Sequence, residues 1–365
     1  MSWVMEKKEV FSMDVEQLLT RYRVPGISVA VFRNGKLELT RGHGLLEYGM
    51  RGSVNVNTIF HACSISKMIT AIGVLRLVDK GVLRLDENVA SYLKSWELSE
   101  SEYTNGKQIT LASLLAHQGG FMDHEESFDA FTFDTSYPTL DDLLLGSTNY
   151  NPTPVQVSYL PENQFIYSDY GYCIVEKVIE DCCGRSFSSV MKELVFEPLN
   201  LTRTFFRNYQ DETDSMRTLM KMSAAGHNEY REVVLGKHPF YPNLAGAGLW
   251  TSPREMAHIA ISIIEAWNGG TSAILSLDMA RMMLSGFGCD KSIGLGVFVP
   301  QANEGECFVS KGWGVGYQCM LVAFPRIQAG IVVMTNSDPG VSQEESLVGE
   351  VIHKCCNQFG WNYVC

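Results

Sequence analysis

Long hydrophobic runs are missing from this chain. No uninterrupted apolar stretch reaches the roughly eighteen residues that a membrane helix needs, so no membrane span is expected. Basic charge is also scarce. Lysine and arginine number 29 against 41 acidic residues, and the net charge of −12 argues against nucleic acid and anionic membranes as partners. Metal-ligand and redox spacings are lacking too. The cysteines include the adjacent pairs Cys182-Cys183 and Cys355-Cys356, but no C-x-x-C and no His-rich cluster accompanies them. Free or buried thiols are expected, with no metal and no other cofactor. Residues Met1 to Asp14 carry Glu6, Lys7, Lys8 and Glu9 and lack the apolar region of a signal peptide, so a cytoplasmic location is expected. There is no internal repeat, no low-complexity tract, no Gly-x-Ser-x-Gly elbow and no phosphate-cradling glycine loop. What is present is a 365-residue chain with 45% apolar residues, enough for one or two cores.

The spacing predicts an amphipathic helix over 11–23, with Val15, Leu18 and Leu19 on one side and Pro25-Gly26 at its end. Residues 27–32 and 37–40 read as a β-hairpin, because Asn34-Gly35 supplies the positive φ angles of a tight turn. From 64 to about 284 the pattern is mainly helical with long loops. Helices are predicted over 172–183, capped by Gly184, over 187–194, and from Pro253 with Ser252 as its cap. Strand character returns at 294–299, 318–324 and 330–334, and 344–359 reads as a closing helix. The expected fold class is α+β. An antiparallel sheet with flanking helices would form from both termini (1–60 and 285–365), with a mainly helical domain (61–284) inserted and a site at the junction.

The most informative stretch is Ser64-Ile65-Ser66-Lys67. Apolar residues at 65, 68, 69, 72, 75 and 78 recur at helical spacing, and Gly81 supplies a stop. Ser64 then lies in or near the first turn, with Lys67 one turn on along the same face. A serine hydroxyl is a weak nucleophile that needs an adjacent base, and a lysine lowered by burial can be one. The plain alternative is a helix-capping serine followed by a surface lysine.

Other stretches follow in order: Gly81 to Asp86, Ile109-Thr110 through His117-x-x-Gly120, Tyr167-Ser168-Asp169-Tyr170-Gly171-Tyr172, Gly246 to Trp250, and Gly316-Tyr317. Together with Ser64-x-x-Lys67 they resemble the class C β-lactamase and DD-peptidase family over most of the chain. These are β-lactamase-related, penicillin-binding-protein-like serine hydrolases, also called S12 peptidases. The resemblance implies a β-lactamase/transpeptidase-like fold and an acyl-enzyme on Ser64, with Lys67 and Tyr167 as its catalytic partners. Tyr167 stands where the family has the tyrosine of Tyr-x-Asn, which shuttles the proton. A nearby ammonium is expected to lower its phenol.

Asp169 stands where the family has asparagine. An ionised aspartate only accepts hydrogen bonds, and it favours the charged form of Lys67. Tyr167 is therefore expected to carry more of the base role, and the acylamido carbonyl of penicillins to bind less well. Counting back from Gly316-Tyr317 puts Ser310 in the place of the third motif's Lys or His, with Lys311 in the middle and Gly312 at the end. A one-residue shift would put Lys311 in the charged position. Neighbouring strand residues face opposite sides, so Ser310 and Lys311 stay alternatives as substrate-binding groups. Gly312 lets the backbone come close to the substrate in either case. The N–H groups of Ser64 and Trp313 would form the oxyanion hole.

The expected function is hydrolysis of small esters or peptide-like amides. The alternatives are a β-lactamase or D-amino-acid-specific peptidase or amidase, and a non-catalytic β-lactamase-like binding protein. The partner is a small-molecule ester, amide or lactam. Cys63 is expected to be a buried small hydrophobe, His117 a structural histidine, and Asp123-His124-Glu125-Glu126 a polar loop rather than a metal site. Pocket walls are expected from loops 121–165 and 205–245.

Overall fold

A computed structural model describes residues 14–99, 101–104, 106–125, 127–128, 137–207, 213–271, 273–300 and 307–363. The segment before Asp14, the start of the helix predicted over 11–23, and Glu126 of the polar loop lie outside the described residues.

Asp14 accepts the Gln17 N–H and so caps α1 (Val15–Arg21), which buries Val15, Leu18 and Leu19. The hairpin of β1 (Gly26–Arg33) and β2 (Lys36–Gly44) turns at Asn34 and Gly35, both at positive φ. β3 (Phe60–His61) leads to a 3₁₀ turn at Cys63–Ile65 and then α2 (Ser66–Asp79), followed by Gly81 at φ 70°. Ser64 therefore sits in the turn that feeds α2 rather than in the helix itself.

The middle of the chain holds α3 (Leu111–Leu115), α4 (Leu140–Leu144), α5 (Asp169–Cys183), α6 (Phe187–Met191), α7 (Asp214–Lys221) and α8 (Leu244–Ala247). α6 runs on as a π-turn over 192–196, so the helix predicted there is irregular at its end. Two short strands, β4 (Phe205–Phe206) and β5 (Leu249–Thr251), join β3 in the order β3-β5-β4. Ser252 accepts the Glu255 N–H and Pro253 opens α9 (Pro253–Trp267), as the sequence predicts. α10 (Leu277–Met283), β6 (Phe308–Gly314), β7 (Tyr317–Phe324), β8 (Ala329–Thr335) and α11 (Leu347–Phe359) follow.

The fold class is α+β. An antiparallel sheet runs β2-β1-β8-β7-β6, and β1 meets β8 with Val29 opposite Val333. Strand alternation decides what each face touches. Ala30, Phe32, Leu321 and Val332 pack on the side of α2. Val29, Val31, Met320 and Val333 pack on the side of α1 and α11.

The stretch 294–299, expected as a strand, is not one. Gly296 takes φ 76° and its N–H donates to the Leu115 carbonyl, while Phe298 makes isolated bridges to Ile293 and Val309. The glycine serves close packing instead. A Cβ at Gly296 would meet the Ala71 Cβ of α2 at 2.6 Å.

Candidate active site

The turn into α2 is built around Cys63. Its φ of 49° is uncommon for a side-chain-bearing residue, and its thiol lies buried with Sγ 3.1 Å from His61 Nδ1. Burial pushes the Cys63 thiol well up, which makes it an inert packed group. Ser66 Oγ donates to the Cys63 carbonyl at 2.6 Å and accepts the Leu249 N–H at 2.9 Å, fixing the turn against β5.

Lys67 is 3% exposed. Its Nζ donates to Asp169 Oδ1 at 2.8 Å, to the Gly246 carbonyl at 3.0 Å and to Ser64 Oγ at 3.3 Å. An ammonium has three donors, and all are used. Burial pulls the Lys67 pKa down, but Asp169, joined by Tyr167, outweighs it, and the ammonium is held above the usual lysine range. A lysine neutralised by burial is therefore not what this site contains. Gly246 is needed for the arrangement, since a Cβ there would meet Asp169 Oδ1 at 2.4 Å.

The second segment enters α5. Ser168 caps the helix, accepting the Gly171 N–H at 3.3 Å and donating from Oγ to Asp123 Oδ1 at 2.7 Å. Asp123 also accepts the N–H groups of Asp169 (2.7 Å) and Tyr170 (3.1 Å). Read in the sequence only as part of a polar loop, Asp123 is a carboxyl anchored on the first turn of α5. Burial, then the Asp169 charge, push it up to about 6, against these donors.

His117, at φ 56°, accepts the Ser168 N–H at Nδ1 (3.1 Å) and stacks on Tyr167 with ring centroids 4.2 Å apart. Burial, then the Lys67 charge, hold it well below the usual histidine range, as a neutral acceptor. Tyr167 interacts with both Lys67 and Ser64, and Lys67 Nζ lies 4.8 Å from its ring centroid. Burial around the hydroxyl raises the phenol although the residue is 37% exposed. Lys67 lowers it, as the sequence reading expects, but by less, and Asp169 raises it again. Asn243 completes the cluster. Its Nδ2 donates to Asp169 Oδ1 at 3.0 Å and its Oδ1 accepts the Tyr150 hydroxyl at 2.9 Å.

β6 closes the other side. A Cβ at Gly312 would lie 2.3 Å from the Ala62 carbonyl oxygen, so the glycine admits close contact between β6 and the nucleophile turn. Ser310 pairs with Leu321 and Lys311 with Met320. Leu321 packs on the α2 side and Met320 on the α11 side, so Ser310, nearly buried, faces Ser64's side of the sheet. Both Ser310 and Lys311 border a narrow pocket with Ser64, Lys67 and Tyr167, but the Lys311 ammonium is directed to Glu344 and pairs with it. Trp313 is exposed, and its Nε1 donates to Asp338 Oδ1 at 2.7 Å.

A cleft of about 290 Å³ opens beside Ser64, walled by Phe128, Tyr150, Tyr241, Asn243 and Trp313, with Asp169 and Asp338 also lining it. Phe128 and Tyr150, and Tyr241 and Asn243, come from the two loop regions expected to supply walls. A larger groove of about 730 Å³, lined by Leu85, Lys107, Arg281 and Phe287, contains none of Ser64, Lys67 and Tyr167. Among the described residues the cysteines are free, no group of three His, Cys, Asp or Glu could hold a metal, and no helix is long and apolar enough to cross a membrane. Asn243, Asp123 and Asp338 are the site residues that sequence reasoning missed. Only the position of Asn243, just before Gly246, gave a signal that could have found one of them.

A hydroxyl, an ammonium and a phenol gathered against a strand edge, under an antiparallel sheet with a helical insertion, define a class. The chain belongs to the Beta-lactamase family, which matches residues 11–349. Penicillin-binding protein 4 of Amycolatopsis lactamdurans is 31% identical over 186 residues, covering 51% of this chain and 46% of that protein. Protein flp of Staphylococcus aureus (strain NCTC 8325 / PS 47) is 23% identical over 255 residues, covering 69% of this chain and 46% of that protein. The chain thus spans about half the length of these curated relatives. The octameric penicillin-binding protein homologue from Pyrococcus abyssi superposes with a TM-score of 0.77 at 23% identity, over 98% of this chain and 78% of that one. D-amino acid amidase from Ochrobactrum anthropi SV3, complexed with L-phenylalanine amide, superposes with a TM-score of 0.76 at 18% identity, over 98% and 99%. The fold is that of β-lactamases and transpeptidases.

Proposed function

We propose that the protein is a serine hydrolase that forms an acyl-enzyme on Ser64 and hydrolyses small esters or peptide-like amides, at the junction of a sheet domain (1–60 and 285–365) and a helical domain (61–284). The observation that carries this reading is Lys67 Nζ at 3.3 Å from Ser64 Oγ, with Tyr167 interacting with both. Asp169 keeps Lys67 as an ammonium, so the proton released by Ser64 goes to the Tyr167 phenolate, formed beside that ammonium. The N–H groups of Ser64 and Trp313 hold the oxyanion of the tetrahedral intermediate. Tyr167 then returns the proton to the leaving group; water, deprotonated by the same phenolate, attacks the acyl carbonyl, and Tyr167 passes that proton to Ser64 Oγ as the acid leaves.

Amides stand beside esters because a D-amino acid amidase shares the fold over nearly its whole length. A classical β-lactamase is the second reading, supported by the family, and Asp169 in the asparagine place weighs against it. The test is hydrolysis of p-nitrophenyl acetate and nitrocefin side by side, with Ser64→Ala as control and intact-mass detection of an acyl adduct. Ester turnover and an adduct that both vanish in Ser64→Ala support the proposal. Turnover that survives in Ser64→Ala overturns it.

A further inference from the structure

We propose that the cleft beside Ser64 selects substrates carrying a positive charge: esters or amides with an ammonium group near the scissile carbonyl. This rests on the hydrolase reading above and names its substrate class. Four aromatic side chains (Phe128, Tyr150, Tyr241 and Trp313) and two carboxylates (Asp169 and Asp338) line the cleft with Ser64. No lysine, arginine or histidine is among the described residues that line it.

The carboxylates are positioned to receive a cation. Asp338 is held by the Trp313 indole N–H at 2.7 Å and the Gly340 N–H at 3.0 Å, both on Oδ1. Asp169 likewise takes Lys67 and Asn243 on Oδ1. In each case Oδ2 accepts no hydrogen bond among the described residues. A carboxylate fixed by an indole, beside further aromatic rings, is a setting in which an alkylammonium gains both charge pairing and contact with ring faces.

Among the described residues, the two lysines beside Ser64 are already engaged. Lys67 is answered by Asp169, and Lys311 pairs with Glu344. Ser310, uncharged, occupies the strand position facing Ser64's side. Among the described residues that line the cleft no cation stands ready for a substrate carboxylate, which would meet the charge of Asp338, and like charges brought together oppose binding. The net charge of −12 adds a long-range bias of the same sign.

The test compares three p-nitrophenyl esters at low ionic strength: the cationic 4-(trimethylammonio)butanoate, its neutral isostere 5,5-dimethylhexanoate, and the anionic glutarate monoester. Rates are taken after subtracting the Ser64→Ala background. The cationic ester should exceed the isostere by about tenfold or more in kcat/KM, mainly through KM, and the anionic ester should be slowest. Added salt should shrink the gap, and Asp338→Asn, which keeps an acceptor for Trp313, should remove most of the ratio. Ser64-dependent hydrolysis with no preference for the cationic ester overturns this proposal and leaves the hydrolase reading standing. If no ester shows Ser64-dependent hydrolysis, the hydrolase reading falls. Calorimetry of benzyltrimethylammonium with Ser64→Ala then decides the cleft. Binding that weakens in the Ser64→Ala/Asp338→Asn double variant supports the cation preference, and absence of binding overturns it.

Discussion

Lys67 Nζ lies 2.8 Å from Asp169 Oδ1 and 3.3 Å from Ser64 Oγ, so the lysine is held closer to a carboxylate than to the hydroxyl it would activate. Asp169 raises both Lys67 and the Tyr167 phenol. The pair must therefore lose a proton before it can take one from Ser64, and kcat/KM should climb with pH on the alkaline side. Asp169→Asn removes a charge that opposes this loss. The climb should move to lower pH, and the acylation rate with nitrocefin should rise. A profile that stays in place, with acylation unchanged or slower, would remove the role given to Asp169.

Asp123 gives a prediction about stability. Its carboxyl is pushed up to about 6, by burial first and then by Asp169. Its ordinary value is near 4, so between these limits the native chain holds a proton that the unfolded chain has released. The associated stability is fully present below the unfolded value and is lost as pH rises through about 6. A shift of this size corresponds to on the order of 2–3 kcal/mol. Tm followed across this interval should carry that downward component, and Asp123→Asn should flatten it. Superimposable slopes for the two proteins would show that Asp123 titrates as an ordinary carboxyl.

Ser310 and Lys311 should behave oppositely. The Lys311–Glu344 pair is about one-third exposed, so Lys311→Ala should cost no more than about 1 kcal/mol in denaturant melts. It should change kcat/KM by about twofold or less, as for an ammonium already paired with Glu344. Ser310→Val places a branched apolar group on Ser64's side and should lower kcat/KM by about tenfold or more. The reverse ranking would mean that Lys311 swings into the cleft during turnover.

Gly246→Ala tests the lysine cradle. The added methyl would meet Asp169 Oδ1 at 2.4 Å, at the residue whose carbonyl accepts from Lys67. Overpacking of this kind costs about 1–3 kcal/mol. Turnover should fall by about a hundredfold, because small displacements at reacting groups have large rate effects. Full activity in a normally folded Gly246→Ala protein would show that the three-way grip on Lys67 is dispensable.

The readable parts of this site are local ones. Ser64 and Lys67 are one helical turn apart, and Tyr167 lies in a compact cluster at the start of α5, so short-range spacing reveals them. The hairpin at Asn34-Gly35 and the Ser252 cap are legible for the same reason. Whether Ser310 or Lys311 meets the site depends on the register of β6 against β7, where a one-residue slip reverses every side chain. Asp123 acquires its role only when its loop folds back onto the first turn of α5, and Asp338 only when its loop reaches the Trp313 indole. The stretch 294–299 misleads because apolar residues alternate with glycines, and Gly296 uses its left-handed freedom to pack on α2.

The pairing of β1 with β8 sets an order of events during synthesis. Ser64, Lys67 and Tyr167 all leave the ribosome before β6, β7 and β8 exist, and β1 has no partner beyond β2 until β8 emerges. The nascent chain therefore carries an open strand edge from the synthesis of β1 until that of β8, and sheet closure waits for contact between these distant strands. Folding should be slow, with demand for chaperones falling on the interval before β8 docks.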